Sequence, residues 1–161
     1  MLVFNNDNFL NPSKKNMFMT NSSVKEIILP NDVLIKLEKP FVDERGEIQP
    51  LVDLPMKSCV MISSKKGSIR ANHYHKTDWH FCYVIKGSID YYHRKVGEKS
   101  KPQLEKIKKD ELFFTPPMVE HAMVFHEDTI FLTLGGNSRI QSEYESDLVR
   151  VELVSNDSVF K

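Results

Sequence analysis

The sequence contains few cysteines, no excess of charge of either sign and no long apolar run. Its two cysteines, Cys59 and Cys82, are too few for a disulfide scaffold and lack the spacing of a Cys-x-x-Cys motif. Basic and acidic side chains number 22 each, so no surplus of cations is present to neutralise the phosphates of a nucleic acid. No stretch reaches the ~18 apolar residues of a membrane-spanning helix. We therefore expect neither nucleic acid nor a membrane as a partner.

The chain length and its N-terminal composition predict one folded domain with an arm. The 161 residues fit the roughly 100–200 residues of a single domain. Residues 1–23 are rich in Asn, Ser and Lys without sustained periodicity, so we expect a flexible arm there and a folded domain over 24–161. No basic segment precedes an apolar core at the N-terminus, which argues against a secretory signal. We expect a cytoplasmic protein with free, buried thiols.

From residue 24 onward the sequence consists of short extended runs separated by turn residues. The runs are rich in Val, Ile, Phe and Tyr, and some alternate, as at Ile130, Leu132 and Leu134. Turn chemistry such as Lys86-Gly87 separates them. A weak helical pattern is found only over residues 140–146. Many short strands with few helices predict an all-β antiparallel sandwich or barrel. The strands expected nearest the two ends cover residues 24–29, 33–38, 48–53 and 148–154.

Four of the six histidines are spaced as a candidate metal site. His73 and His75 occupy alternate positions of one predicted strand, so their side chains point to the same side. A bend would bring His80 from the adjacent strand, and His121 opens another strand after the Pro116-Pro117 turn. Neutral imidazoles suit Zn, Fe, Ni, Cu or Mn better than Mg or Ca. The alternative is a polar pocket that imidazoles line without a metal.

At these residues the chain resembles the cupin superfamily. The first cupin motif, G-x5-H-x-H-x4-E-x6-G, is matched by Gly67, His73, His75 and Gly87, with His80 in the place of Glu. The second motif, G-x5-P-x-G-x2-H-x3-N, is matched by Pro116 and His121, whereas Asp110, Met118 and Phe125 replace its two Gly and its Asn. The resemblance implies a cupin jelly-roll barrel, also called a double-stranded β-helix, with an interior pocket. It also implies that His73, His75, His80 and His121 are the metal ligands.

A second resemblance is to the cupins that act on nucleotide-linked deoxysugars. Arg70, His73 and Tyr74 match the R-G-x-H-Y-Q segment of dTDP-4-dehydrorhamnose 3,5-epimerases, and Ala71 replaces its Gly. Arg70, His73, His75 and Lys76 match the R-G-x-H-A-H-K segment of dTDP-sugar 3,4-ketoisomerases. Residues 72–75 are similar to the N-H-W-H stretch of capsular-polysaccharide epimerase cupin domains, and residues 142–150 also resemble these sugar enzymes.

The chemistry of a 4-keto sugar suggests what these residues do. Epimerisation or isomerisation removes a C–H proton beside the carbonyl, which requires a base and a group that stabilises the enolate. The resemblance makes His73 or His75 the base, but a histidine that binds metal cannot also be the base. In that case we expect the metal to act as a Lewis acid and a metal-bound hydroxide or Glu120 to be the base.

Three further residues are candidate substrate contacts. Arg70 can clamp a diphosphate through two parallel hydrogen bonds, or instead pair with an acidic side chain at the barrel rim. Trp79 can stack on a base or a sugar ring, or instead pack as a lid. Tyr83 can act as an acid if its strand turns it toward the pocket.

We therefore expect a metal-binding isomerase or epimerase of a nucleotide-linked 4-keto-deoxysugar in surface-polysaccharide synthesis. One alternative is a metal-dependent cupin oxygenase or small-molecule isomerase outside sugar metabolism, and another is a ligand-binding cupin without activity. Because unpaired sheet edges are a liability, we also expect a homodimer.

Overall fold

Two five-stranded antiparallel sheets pack face to face in the computed structural model, which describes residues 27–160. The predicted arm over residues 1–23 lies outside the described residues. The strands are β1 (Leu34–Ile35), β2 (Phe41–Asp43), β3 (Gly46–Ile48), β4 (Ser58–Ser64), β5 (Ile69–His75), β6 (His80–Lys86), β7 (Ile89–Lys95), β8 (Gln103–Ile107), β9 (Leu112–Thr115), β10 (Val119–Val124), β11 (Thr129–Gly135) and β12 (Leu148–Arg150), and the helices are α1 (Gln141–Asp147) and α2 (Asn156–Val159).

The strand order alternates between the two sheets. One sheet has the order β1-β9-β6-β11-β4, the other has the order β12-β5-β10-β7-β8, and β2 and β3 form a separate hairpin. From β4 to β12, successive strands cross from sheet to sheet except at the β7–β8 hairpin, and this closes the molecule into a jelly roll. The predicted all-β jelly roll is therefore confirmed. None of the helices within residues 27–160 is long and apolar enough to span a membrane.

The structure differs from the sequence prediction mainly at the chain ends. The ranges 33–38, 48–53 and 148–154 contribute only two, one and three residues to a strand, and residues 27–29 belong to none. Leu37, Val52 and Leu54 pack instead against Phe81 and Phe114 on the outer face of the first sheet. These apolar runs are thus held by side-chain burial rather than by backbone pairing.

The main core fills one end of the space between the sheets. Along β11 every second residue is buried, as expected for a strand with one face toward a core. The core comprises Cys82, Val84, Ile89, Tyr91, Ile107, Phe113, Met123, Phe125 and Phe131. The outer face of the second sheet is covered by the C-terminal tail, where Val154 packs with Ala122 and Val124.

Glycine positions of the two cupin motifs have left-handed backbone in this chain. Gly67 and Gly87 have φ of 80° and 83°. Asp110 and Met118, which stand where the second motif has glycine, also have positive φ, at 67° and 57°. The turns therefore keep the backbone geometry that favours glycine, although the residues have changed.

Candidate active site

A cavity of about 220 Å³ opens between the sheets at the end opposite the apolar core. Strands β4, β5, β6, β10 and β11 line it, together with α1 and the segment that leads into it. Its polar lining consists of Arg70, His73, His75, His80, Cys82, His121, Thr133, Arg139 and Tyr144. The volume is below the roughly 300–1,000 Å³ of a pocket for a drug-sized ligand, so it suits a group of about one sugar ring.

A bulge in β5 brings Arg70 and His73 to the same cavity. Arg70 pairs with Met123 of β10 and His73 pairs with His121, so Asn72 is the extra residue in the ladder. Ala71 and Asn72 have φ of 65° and 53°, the left-handed geometry of such a bulge. Without the extra residue, the alternation of a strand would turn Arg70 and His73 to opposite faces.

Three histidines converge inside the cavity. The ligand nitrogens of His73, His75 and His121 all lie within 4.8 Å of one another. The His73 ring centroid is 4.8 Å from that of His75 and 4.7 Å from that of His121. Each imidazole offers one donor atom, so the three form a candidate set of metal ligands.

Hydrogen bonds fix the rings of His75 and His121. The Nδ1 of His75 lies 3.2 Å from Oδ2 of Asp147, and the Nδ1 of His121 lies 3.0 Å from the carbonyl oxygen of Val119. Because both partners are acceptors, each neutral ring has its proton on Nδ1. The lone pair on Nε2 is then available to the cavity, whether for a proton or for a metal.

Burial keeps these imidazoles neutral. It lowers the pKa of His75 to about 4, helped by the charge of His80 and opposed by Asp78 and Asp147. Burial, followed by the nearby His75, lowers the pKa of His73 to about 3. Burial also holds the pKa of His121 well below its ordinary value. All three are therefore unprotonated at neutral pH.

His80 lies beside the cluster but faces another group. Its ring centroid is 4.8 Å from that of His75, yet its Nε2 lies 2.9 Å from Oδ2 of Asp78 without hydrogen-bond alignment. Asp78 is itself anchored by the backbone N–H groups of Trp79 and Asn137. The structure therefore groups His73, His75 and His121, and it holds the fourth predicted ligand against a carboxylate.

Two arginines and a tyrosine complete the lining. Arg70 is exposed at the mouth, where its Nε donates to Oγ of Ser64 at 2.6 Å and a terminal nitrogen donates to the Ser63 carbonyl. The guanidinium carbon of Arg139 lies 4.6 Å from the centroid of the Tyr144 ring. That ring centroid is in turn 5.5 Å from the His75 ring centroid.

Two of the predicted site residues, Glu120 and Tyr83, point away from the cavity. Glu120 precedes the inward-facing His121 and therefore points outward, where its carboxylate accepts from Nε of Arg94 at 2.9 Å. Its prediction as a base is corrected for this reason. Tyr83 alternates with His80 and Cys82, and its hydroxyl donates to Asp110 on the outside at 3.3 Å. It is therefore not a substrate contact of this cavity.

Trp79 also packs outside the cavity. Its ring centroid lies 5.7 Å from that of Phe81, in the outer cluster that covers the first sheet. A Cβ added at Gly136 would lie within 2.8 Å of the Trp79 ring, so the glycine makes room for the indole. The predicted substrate contact is thus replaced by the alternative packing role.

Three residues that the sequence analysis did not assign contribute to the site: Arg139, Tyr144 and Asp147. Tyr144 and Asp147 belong to α1, and Arg139 lies in the segment before it. Asp147 accepts from the backbone N–H and hydroxyl of Thr77 and from the N–H of Asp78, so its carboxylate is fixed beside His75. The only signal in the sequence was the similarity of residues 142–150 to sugar enzymes, which carried no residue roles.

Comparison with known proteins first defines a fold. No protein-family model matches the chain, and no curated protein sequence does. Solved structures match it with the same jelly roll, among them sugar isomerases and epimerases. The predicted similarity to such cupins is therefore confirmed at the level of the fold.

The particular matches are as follows. A variant of the 3,4-ketoisomerase QdtA from Thermoanaerobacterium thermosaccharolyticum, in complex with TDP, superposes with a TM-score of 0.60 at 24% identity over 76% of this chain and 89% of its own. The dTDP-4-dehydrorhamnose 3,5-epimerase from Sulfolobus tokodaii has a TM-score of 0.54 at 18% identity over 67% and 78%. The capsular polysaccharide assembling protein CapF from Staphylococcus aureus has a TM-score of 0.53 at 19% identity over 72% and 34%.

Proposed function

We propose that this chain is an isomerase or epimerase of a nucleotide-linked 4-keto sugar in surface-polysaccharide synthesis, with His75 as the base. The observation that carries the proposal is the His75–Asp147 pair at the wall of a cavity the size of one sugar ring. The carboxylate holds the imidazole in one tautomer and stabilises the imidazolium that forms when the ring takes a proton. A pKa of about 4 leaves the His75 ring unprotonated at pH 7, as a proton acceptor must be.

The proton transfer uses groups at known positions. Nε2 of His75 takes the proton from the carbon beside the ketone, and the electron pair of that C–H bond moves to the carbonyl oxygen as an enolate. Return of the proton from the same ring to the former carbonyl carbon, while the hydroxyl on the first carbon passes its proton to the enolate oxygen, gives the isomeric ketone. The epimer forms when a second donor returns a proton to the first carbon from the opposite face. Tyr144 lines the same cavity and is the candidate donor to the enolate oxygen.

The similar structures support the choice of substrate class. One QdtA structure, with a TM-score of 0.60 at 20% identity, is a complex with TDP-4-keto-6-deoxyglucose. In this chain, Arg70 stands at the cavity mouth with part of its guanidinium free of the partners Ser63 and Ser64. A diphosphate outside the cavity would meet this side chain while the sugar occupies the interior.

The test is solvent exchange. In deuterated buffer with TDP-4-keto-6-deoxyglucose, we expect NMR to show deuterium at the carbon beside the ketone, and we expect His75→Asn to slow it by roughly 10²–10⁴-fold. A folded protein that binds the sugar nucleotide without exchange would instead be a ligand-binding cupin without activity. Exchange that is unchanged in His75→Asn would exclude His75 as the base.

A metal-dependent activity is the second candidate, favoured by the convergence of three imidazoles. His73, His75 and His121 are neutral, and Asp147 and the Val119 carbonyl orient two of them, as is usual around a metal. A divalent transition metal (Zn, Fe, Ni, Cu or Mn) held there would act as a Lewis acid toward a carbonyl, or support oxygenase chemistry. His75 would then be a ligand rather than the base.

Elemental analysis separates the two candidates. If the activity depends on a metal, the purified protein contains about one transition-metal ion per chain, and His73→Ala and His121→Ala each lose most of it. Isomerase activity in a protein without metal excludes that dependence. The homodimer also stays a prediction, which light scattering at micromolar concentration tests.

A further inference from the structure

The cavity lining carries positive charges and no negative ones, and the proposed proton transfer gives no role to the inner positive charge, Arg139. Two guanidinium groups, Arg70 and Arg139, belong to its lining, and no aspartate or glutamate does. The nearby carboxylates of Asp78 and Asp147 stand behind the histidines and accept hydrogen bonds from backbone N–H groups there. The surface that a ligand meets therefore presents positive charge only.

Arg139 is the inner of the two cations. Its Nε is buried and has no hydrogen-bond partner among the described residues, and none of their carboxylates pairs with it. Its guanidinium is held against the face of Tyr144. A buried donor without a partner is costly, and a guanidinium binds carboxylates and phosphates through paired hydrogen bonds. Arg139 as a whole is half-buried, so the rest of its guanidinium can meet a ligand.

The size of the cavity limits where the matching anion can be. A volume of about 220 Å³ holds a sugar ring with its substituents and leaves a nucleoside outside. An anionic group that meets Arg139 inside is therefore attached directly to that ring. Arg70, exposed at the mouth, is placed for a second anionic oxygen farther out.

We propose that Arg139 binds an anionic group carried on the sugar itself, either a ring carboxylate or the phosphate at the anomeric carbon, with Arg70 as the outer contact. This inference rests on the proposed function, since it names the charged part of that substrate. It makes Arg139 a substrate-binding residue, and the ring carboxylate, if it is the anion bound, extends the substrate class to acidic sugars.

Calorimetric titrations of wild type, Arg139→Gln, Arg139→Lys and Arg150→Gln with TDP, D-glucuronate and D-glucose test it. Arg150 is the matched control, because it is exposed, pairs with Glu145 and lies outside the cavity lining. We expect Arg139→Gln to weaken binding of an anionic probe by roughly tenfold or more, Arg139→Lys by less, and Arg150→Gln by less than about threefold. Glucose binding, where measurable, should not change.

The pattern of losses identifies the anion. A loss for TDP alone assigns the phosphate, a loss for glucuronate alone assigns a ring carboxylate, and a loss for both shows that Arg139 accepts either. Anion binding that is equal in wild type and Arg139→Gln, with both folded by thermal denaturation, overturns the proposal. Failure of wild type to bind either anion overturns it too. Neither result depends on turnover, so failure of the deuterium exchange would be a separate outcome.

Discussion

The two ends of the barrel interior are built from the same strands and have opposite chemistry. Along β10 and the residue after it, the inward residues run from His121 through Met123 to Phe125, and along β6 they run from His80 through Cys82 to Val84. One end is a closed apolar core, and the other is a cavity walled by histidines. The jelly roll therefore supplies a rigid apolar half that positions a polar half, and changes at each end should have separable effects.

The largest expected effect is a loss of folding stability in acid, caused by the histidines of the polar end. The folded pKa values of His73 and His75, about 3 and 4, lie below the unfolded value of about 6.5, so the unfolded chain binds more protons. For the metal-free chain, stability is fully present above pH 6.5 and is lost as the pH falls toward 4. The loss should be on the order of several kcal/mol.

Denaturant titrations at pH 7.5, 6.0, 5.0 and 4.5 measure this loss. The aspartates with lowered pKa, such as Asp78 and Asp147, titrate mainly below this range, so they contribute little to the loss. A free energy of unfolding that stays constant between pH 7.5 and 4.5 would contradict the neutral, buried histidines.

Truncation in the apolar end should cost stability without a comparable effect on acid sensitivity. Phe113 is fully buried, and its ring centroid lies 5.1 Å from that of Tyr91. We expect Phe113→Ala to lower the free energy of unfolding by about 3–5 kcal/mol through lost burial and a new cavity. The variant should keep the pH dependence of the wild type, and a flattened dependence would show that the two ends are coupled.

A change behind the histidine wall should affect activity more than stability. Asp147→Asn replaces the carboxylate that orients His75 with an amide of similar size. If the proposed reaction is right, we expect kcat/KM to fall by roughly 10–100-fold while the KM changes little. Asp157→Asn, an exposed aspartate on α2, is the matched control. Equal kinetics for the two variants would remove Asp147 from the site.

The smallest expected effect is a difference in reactivity between the thiols of Cys59 and Cys82. Cys59 is exposed on β4, whereas burial raises the pKa of Cys82 to about 12 and keeps it a thiol at pH 8. We expect a thiol reagent to label one cysteine in the native protein and both in denaturant. Cys59→Ser should then show no native labelling. Rapid labelling of Cys82 would mean that the cavity opens widely.

The sequence predicted the fold and the three grouped histidines because both depend on short-range spacing. Alternation in a strand places His73 and His75 together, and the motif spacing located His121. The same alternation excludes Glu120 and Tyr83 from the cavity, since each is an odd number of residues from an inward-facing histidine of its strand. Those two errors could have been avoided from the sequence.

Other parts of the site could not be predicted from spacing. The bulge at Asn72 changes which residues of β5 face inward, and its register is set by pairing with β10. Asp147 contacts His75 across 72 positions of the chain, through a short helix whose sequence carries no chemical motif. Such long-range contacts are decided by packing, which local patterns do not encode.

The side chain of Asn72 also connects the C-terminal tail to β5, the strand that carries His73 and His75. Its amide nitrogen donates to the carbonyl of Val154 at 2.9 Å, and its oxygen accepts from the N–H groups of Leu153 and Val154. Asn72, which has a left-handed backbone conformation, thus holds the tail against β5 through its side-chain amide. A chain shortened before Leu153 would leave that amide without its partners, one residue from His73. Engineering of the C-terminus would therefore reach the histidine wall directly, although the tail lies on the opposite face of the sheet.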